Sequence, residues 1–286
     1  MSRYSVKQVV HKHGRKYALM PDGVGVPFEV YGTEGNPGCI LTPGGKGGIE
    51  YERPMAKMLA QAGFRAVVHD RRNTWAADVG FGDGSKTELD LQVEDSVALI
   101  RHLKMEPAVF IGESSGARMS IRCALKHPSA VRGLIVRNMT GGKNAANAIS
   151  FAYHFEFVQP CELGGMEAVT RSYHYSEMIS HNPDVRQQLL QTNPELFIKV
   201  QKDSGNQLKS TASLPALALT EEELQSIRCP AQVIFTGGDG PDDGMHTKSV
   251  MVSLAGLIPG ADGVLLTQDQ RILMNANIDF MRSLLS

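Results

Sequence analysis

Ser114 has the residue type and the sequence context of a catalytic nucleophile. It is the middle residue of Gly112-Glu113-Ser114-Ser115-Gly116, which matches the pattern G-x-S-x-G. In this pattern a sharp strand-to-helix turn projects the serine hydroxyl, and small flanking residues avoid a clash with neighbouring elements. A buried apolar run precedes the motif and a helical pattern follows it, which favours this interpretation. The alternative is a glycine-rich turn with an incidental serine.

The elements around this serine follow a repeating order of short apolar run, turn and amphipathic stretch. Apolar runs at 39–42, 64–68, 108–111, 132–137, 231–236 and 263–267 alternate with helical patterns. Strands that alternate with helices of this length predict βαβ crossovers and a mostly parallel, doubly wound sheet with both faces buried. We therefore predict an α/β fold, with Ser114 at the carboxyl edge of the sheet.

The alternation stops between Lys143 and Ser226. This stretch is rich in Tyr, Phe, His, Met and Gln, and prolines divide it into short helical patterns. A helical insertion in a doubly wound core is typical of a lid over the carboxyl edge, where open α/β sheets bind ligands. We predict a core formed by residues 1–142 and 227–286, and a helical cap formed by residues 143–226.

The chain resembles the α/β-hydrolase fold family over nearly its whole length. Besides the Ser114 motif, Leu41-Thr42-Pro43-Gly44-Gly45 stands where the family has its HG-type oxyanion loop. Asp70-Arg71-Arg72-Asn73 stands where it often has D-x-R-G, and Ala124-Leu125-Lys126-His127-Pro128 is similar to its A-x-x-x-P helix end. The resemblance implies that the backbone N–H groups of Gly45 and Ser115 form an oxyanion hole, which would stabilise a tetrahedral acyl intermediate.

The resemblance also implies a triad acid in the loop after the strand that follows the cap. That loop contains Asp239, the first carboxylate after the strand, and Asp243, which fits the family's D-x-x-x-P spacing better. We prefer Asp243 and retain Asp239. Loops rich in Asp and Gly also simply form turns, so neither assignment follows from composition.

The chain departs from the family at the triad histidine, which should follow the last strand. The last of the nine histidines is His246, and the expected loop reads Thr267-Gln268-Asp269-Gln270-Arg271. Thr267 and Gln270 fit a helix capping box, and Asp269 is a weak candidate for a carboxylate base. Without an imidazole, a serine hydroxyl is a poor nucleophile.

Several histidines could replace the missing base. His246 could approach from the acid loop, with a hydrogen bond to Asp243 that would fix its tautomer. A cap histidine (His154, His174 or His181) could instead reach Ser114, whereas His69 more simply orders the loop beneath the site. Tyr153, His154 and His174 are our candidates for substrate contacts from the cap.

Three functions fit this pattern. The first is a hydrolase of a small apolar ester, lactone, amide or C–C bond, in which Ser114 works with a non-standard base. The second is a non-hydrolytic enzyme on the same scaffold, such as an epimerase, isomerase, cyclase or lyase, and the displaced histidine motivates it. The third is a catalytically inactive ligand binder. The fold does not separate them, because this scaffold hosts unrelated chemistries.

Composition excludes several other classes of function. The 29 basic and 30 acidic side chains give a net charge of −1, which argues against nucleic acid or anionic lipid as the partner. No apolar run has the length of a membrane span, and no h-region of a secretory signal follows the basic N-terminus. The sequence also contains no dinucleotide-binding fingerprint, no P-loop and no residues at metal-ligand spacing. We expect a cytoplasmic enzyme with free thiols, a small-molecule substrate and no cofactor or metal, and we allow for a homodimer.

Overall fold

The computed structural model describes residue 6 and residues 8–237, 243–266 and 269–285. Nine strands form one sheet, in the spatial order β1-β2-β3-β5-β4-β6-β7-β8-β9. Their bounds are β1 Gln8–Lys12, β2 Arg15–Leu19, β3 Gly25–Tyr31, β4 Gly38–Thr42, β5 Arg65–His69, β6 Ala108–Glu113, β7 Val131–Arg137, β8 Ala231–Phe235 and β9 Asp262–Leu265.

The sheet is mostly parallel, as the alternation of strands and helices predicts. β1, β2 and β3 pair antiparallel, and β3 joins β5 antiparallel. From β5 to β9 every neighbouring pair is parallel. Thr42 at the end of β4 pairs with Gly112 near the end of β6, so the loops that follow these two strands emerge side by side.

Helices cover both faces of the sheet because successive side chains of each buried strand point to opposite faces. Phe110 packs in one apolar cluster with residues of the second and third helices, whereas Ile111 packs in the other with residues of the first and last helices. The helices of this core are α1 Ile49–Gln61, α2 Glu88–His102, α3 Ser115–Lys126, α10 Lys248–Leu257 and α11 Gln270–Ser283.

Six further helices lie between β7 and β8, where the sequence predicts a helical insertion. They are α4 Gly142–Tyr153, α5 Val158–Val169, α6 Tyr173–His181, α7 Asp184–Gln191, α8 Pro194–Lys209 and α9 Glu221–Gln225. Phe157, Tyr175 and Phe197 form an apolar cluster of these helices that also includes Val79 and Phe81 from the loop between β5 and α2. These three aromatic residues therefore belong to a packing core of the segment itself.

The antiparallel strands β1 to β3 are absent from our sequence prediction. β1 and β2 form a hairpin whose two turn residues, His13 and Gly14, both have positive φ. This is the geometry of a type I′ turn, but His-Gly is not among the dipeptides that normally signal it. None of the helices that the structure describes has the length and apolarity needed to cross a bilayer.

Candidate active site

Ser114 lies on a strained turn between β6 and α3. Its φ of 53° and ψ of −111° are unusual for a residue with a side chain. A Cβ atom on Gly112 would lie 2.2 Å from the carbonyl oxygen of Gly116, and one on Gly116 would lie 2.3 Å from that of Thr42. The two glycines therefore permit the close approach of strand and helix that the turn requires.

A chain of two hydrogen bonds joins Ser114 to a carboxylate through an imidazole. The Nε2 atom of His246 lies 2.9 Å from the Oγ atom of Ser114. The Nδ1 atom of the same ring lies 2.6 Å from the Oδ2 atom of Asp243. With the proton of neutral His246 on Nδ1, the ring donates to Asp243 and Nε2 accepts the serine proton.

The loop between β8 and α10 holds this pair by its own backbone. Asp243 Oδ1 accepts hydrogen bonds from the backbone N–H groups of Met245, at 2.8 Å, and His246, at 2.6 Å. His246 also forms an isolated antiparallel bridge with Thr140, just after β7. Thr247 caps α10 by accepting from Val250 N, so the helix begins after His246. The side chain of His246 therefore lies outside the helix and can contact Ser114.

Asp243 is kept in its charged form by these contacts. Burial raises the pKa of its carboxyl group, but the hydrogen bonds from the side chain and backbone of His246 and from the backbone of Met245 outweigh burial and lower the pKa below its usual value. The Asp243 side chain is 53% exposed and that of His246 is 26% exposed. The pair therefore lies at the rim of the site, not in its interior.

The loop after β4 is shaped so that one backbone N–H faces away from its own turn. Gly47 N donates to Gly44 O at 3.1 Å, and Gly45 has a φ of +56°. Because a trans peptide holds its C=O and N–H on opposite sides, the Gly45 N–H points out of this turn. Ser115 is the first residue of α3, so its N–H has no partner within the helix.

A cavity of about 1170 Å³ opens beside Ser114. Gly45, Ser114, Tyr153 and His246 lie in its wall. The wall also includes one buried ion pair, in which Arg137 Nη2 donates to Glu52 Oε1 at 2.5 Å. The apolar side chains of this wall come from α1, from α4, from the loop before α10 and from α11, and they are Pro54, Met55, Ala148, Ile149, Ala152, Met245, Leu273 and Met274.

The structure places two of the cap histidines away from this cavity. His154 Nδ1 lies 2.9 Å from Gln201 Oε1, and His174 Nε2 lies 2.9 Å from the backbone oxygen of Asn73. Burial lowers the pKa of each ring to about 3, so both are neutral packing groups. Neither lines the cavity at Ser114, and His154 lies instead in the wall of a smaller cavity beside Gly45.

Three other candidates also have structural roles or lie outside the described residues. His181 stacks on Trp75 with ring centroids 4.2 Å apart. Asp269 caps α11 by accepting from Arg271 N at 2.8 Å, and this corrects the expected capping box, whose Thr267 the structure does not describe. Asp239 also lies outside the described residues.

Sequence reasoning missed the charged side chains that contact the loop after β4. Arg71 donates through Nη2 to the carbonyl oxygen of Gly45, and Ser115 Oγ donates to the same oxygen at 3.0 Å. Arg118 Nη1 donates to Thr140 Oγ1 at 3.3 Å, next to the bridge that holds His246. Arg71 stands at the variable position of the segment that resembles D-x-R-G, and no motif marks Arg118, so only the fold shows that the two arginines lie together.

The carboxyl edge offers no candidate metal centre within the part of the chain that the structure describes. No group of three or more His, Cys, Asp or Glu side chains is arranged there, or elsewhere in the described ranges, to hold a metal ion. His69 has its Nδ1 atom 3.0 Å from Asp70 O and its Nε2 atom 3.3 Å from Thr42 Oγ1, and burial lowers its pKa to about 4. It therefore joins the ends of β4 and β5 beneath the site.

Comparison with known proteins gives many structural neighbours and little sequence similarity. A hydrolase from Pseudomonas aeruginosa PA01 superimposes with a TM-score of 0.62 at 19% identity, over 97% of this chain and 99% of the other. The enol-lactonase from Burkholderia xenovorans LB400 superimposes with a TM-score of 0.59 at 18% identity, over 94% and 99%. At these identities the likeness establishes the fold, which is the α/β-hydrolase fold.

The sequence comparisons are narrower. A protein of Serratia proteamaculans (strain 568) named "Putative carbamate hydrolase RutD" is 31% identical over 114 residues, which is 39% of this chain and 41% of that protein. The chain therefore matches less than half of this relative's length. No protein-family model matches the chain.

Proposed function

We propose that this α/β-hydrolase-fold protein is a serine hydrolase in which Ser114 is the nucleophile, His246 the base and Asp243 the acid. The observation that supports this most strongly is the continuous hydrogen-bond chain from Ser114 Oγ through His246 to Asp243. In this proposal the acid and the base come from one loop, after β8. His246 thus replaces the histidine that the family usually carries after the last strand.

The proposed reaction begins when Ser114 Oγ attacks a substrate carbonyl carbon and its proton passes to His246 Nε2. The N–H groups of Gly45 and Ser115 donate to the oxyanion, and the carboxylate of Asp243 stabilises the imidazolium. The tetrahedral intermediate collapses to an acyl-serine as His246 gives the proton to the leaving group. A water molecule then releases the acid by the same steps, which restores Ser114.

The substrate class we infer is a small, fairly apolar ester, lactone, amide or cleavable C–C bond. The cavity wall supplies methionine and aliphatic side chains from α1, α4 and α11. In this proposal the helical segment 143–226 acts as a cap, since α4 contributes Ile149, Ala152 and Tyr153 to the wall. An enol-lactonase among the structural neighbours agrees with this class.

The non-hydrolytic and inactive alternatives rest on the displaced histidine. An imidazole within hydrogen-bond reach of Ser114 removes most of that motivation. They survive only if catalysis or binding proves independent of Ser114. The four cysteines are free thiols, in keeping with the cytoplasmic location we propose.

The proposal is tested with a fluorophosphonate probe and a panel of short-chain esters and lactones. We expect the wild type to be labelled, and Ser114→Ala and His246→Ala each to lower kcat by about 10³-fold or more, because the groups act as one unit. Ser120→Ala is the matched serine control, since Ser120 Oγ is buried in α3 without a partner. His181→Ala is the histidine control.

Two results would contradict the proposal. Activity that survives Ser114→Ala rejects covalent serine catalysis and favours the non-hydrolytic alternative. Activity that is lost in Ser114→Ala but kept in His246→Ala shows that another group serves as the base.

A further inference from the structure

A second, much smaller cavity lies behind the oxyanion loop. Its volume is about 40 Å³, and it shares Gly45, Lys46 and Tyr153 with the wall of the large cavity. Ser115 at the start of α3 also lines it, together with Arg71 and Arg118. It therefore adjoins the residues of both proposed oxyanion donors, whereas Ser114 does not line it.

The two arginines in this wall are buried and form no ion pair with any carboxylate that the structure describes. Arg71 and Arg118 are each only 4% exposed. Among the described residues no carboxylate oxygen lies within 4.0 Å of either guanidinium, and their hydrogen bonds go to the neutral oxygens of Gly45 and Thr140. The Nε atom of Arg71 is buried and has no hydrogen-bond partner among the residues that the structure describes.

The remaining charges of this wall do not balance the arginines. Lys46 adds a third cation, and Glu88 is the single carboxylate that faces the small cavity in the described ranges. Burial raises the pKa of Glu88, and one of its oxygens accepts from Gln92 Nε2 at 3.0 Å. Burial and the repulsion of Arg71 lower the pKa of Arg118 to about 10, despite the favourable influence of Tyr153.

A buried charge without a partner is strongly destabilising, so an anion that enters this space would be bound tightly. Ser115, the first residue of α3, lies in the same wall, so the positive end of the helix dipole is close to this space. We propose that the small cavity between Arg71 and Arg118 is a binding site for one small monovalent anion, held next to the oxyanion hole.

The size of the cavity limits what the anion can be. A water-sized group needs about 10–15 Å³ of such volume, so a halide ion or a single carboxylate group fits but a sugar acid does not. The anion can come from solution, or it can be the carboxylate end of a substrate that reaches behind Gly45 from the large cavity. The second source rests on the proposed function, whereas the first does not.

The salt experiment compares the thermal unfolding of the protein in sodium chloride, sodium bromide, sodium formate and sodium gluconate at equal ionic strength. We expect the three small anions to raise Tm by about 2–4 °C at tenfold excess over Kd, and the bulky gluconate to have no such effect.

Arg118→Met should abolish the rise and be at least as stable as the wild type in gluconate, because the buried charge is gone. Arg122→Met is the control on the same helix, since Arg122 pairs with Glu223 and does not line the cavity. It should lower Tm in every salt and keep the dependence on small anions.

A second arm separates the two sources. It compares kcat/KM for methyl pentanoate and for monomethyl glutarate, which carries a carboxylate at a similar distance from the ester. A preference of about 10-fold or more for the anionic ester that disappears in Arg118→Met identifies the substrate carboxylate as the occupant. Small-anion stabilisation without that preference identifies an ion from solution.

The proposal is overturned if wild-type Tm is the same in all four salts and the anionic ester is not preferred. The wild-type comparison of the four salts needs no turnover, so it tests anion binding even if Ser114 proves not to be a nucleophile. If Arg118→Met does not fold, the wild type alone can still give the overturning result.

Discussion

Asp243 and His246 stand three residues apart, so one short backbone segment sets both ends of their hydrogen bond. The two carboxylate oxygens of Asp243 accept hydrogen bonds from different groups. Oδ1 accepts from the backbone N–H groups of Met245 and His246 and holds the loop, whereas Oδ2 accepts from His246 Nδ1. The two oxygens can therefore be separated by a substitution that keeps the first contact and changes the second.

Asp243→Asn makes this separation. The amide oxygen of the new side chain can still accept from the backbone N–H groups, but the NH₂ group of that side chain faces His246 Nδ1. Because Nδ1 must then accept, the proton of the neutral imidazole moves to Nε2. A protonated Nε2 cannot accept a hydrogen bond from Ser114. We expect kcat for a short-chain ester to fall by about 10³-fold with little change in KM. Asp269→Asn keeps a good helix cap and should leave both constants within about twofold. Activity of Asp243→Asn within tenfold of the wild type would exclude the carboxylate from the reaction.

The candidate residues differed in how far the sequence alone could place them. Ser114 and the loop of Asp243 are marked by local pattern, and His246 could be proposed only because it shares that loop. Arg71 occupies the variable position of the segment that resembles D-x-R-G, and Arg118 lies in α3 outside any motif, so the sequence predicts no role for either. Their burial beside Gly45 and Thr140 is a product of the whole fold.

At the scale of elements, the turn between β6 and α3 is held by close backbone contacts from β4. The Thr42 carbonyl oxygen would be 2.3 Å from a Cβ on Gly116, and the Pro43 carbonyl oxygen would be 2.8 Å away. Both atoms belong to the backbone and cannot rotate away as a side chain could. Any side chain at Gly116 must therefore push α3 away from the end of β4.

Gly116→Ala tests how tightly these elements are packed. We expect the free energy of unfolding, measured with urea, to fall by about 1–3 kcal/mol or more because the added methyl group overpacks the turn. Gly256→Ala is the matched control, because Gly256 lies in α10 with nothing within 4 Å of the added atom. It should raise the free energy of unfolding by about 0.5–1 kcal/mol. Equal effects of the two substitutions would mean that the turn tolerates a side chain.

The sequence predicts a strand or a helix where its apolar residues form a continuous buried run or recur at helical spacing. The parallel strands and their helices are of this kind, because both faces of the sheet are covered. The antiparallel strands β1 to β3 were missed for the opposite reason: β2 begins with Arg15 and Lys16, β3 contains Pro27, and the hairpin turn is His13-Gly14. Pairing with β5 stabilises them, and that contact is invisible to a local pattern.

At the scale of the whole molecule, the loops after β4, β5, β6 and β8 meet at one edge of the sheet and depend on each other. Asp70, just after β5, accepts from Ile49 N at 2.7 Å and from Ala76 N at 3.2 Å, and so ties the start of α1 to the loop after β5. The next residue, Arg71, holds the carbonyl oxygen of Gly45. The framework of the proposed oxyanion loop thus includes a carboxyl group that is 0% exposed.

Asp70 also couples the stability of this framework to pH. Burial raises its pKa from 3.8 to about 7, and the hydrogen bonds from Ile49 and Ala76 offset only part of that effect. A carboxyl group whose pKa is raised by folding binds its proton more tightly in the folded state than in the unfolded state. Its contribution to stability is therefore complete below the unfolded pKa and is lost as the pH rises through about 7.

Asp70→Asn removes this titration, and urea unfolding of both proteins at about pH 5 and about pH 8 measures it. We expect the wild type to lose about 2 kcal/mol relative to the variant over that interval, since each pH unit between the two pKa values is worth about 1.4 kcal/mol. Buried Asp95, whose pKa is raised to about 6, is present in both proteins, so its titration cancels in the comparison. Wild type that instead gains stability relative to Asp70→Asn as the pH rises would mean that the two backbone N–H groups and the N-terminus of α1 hold the carboxylate charged against the cost of burial.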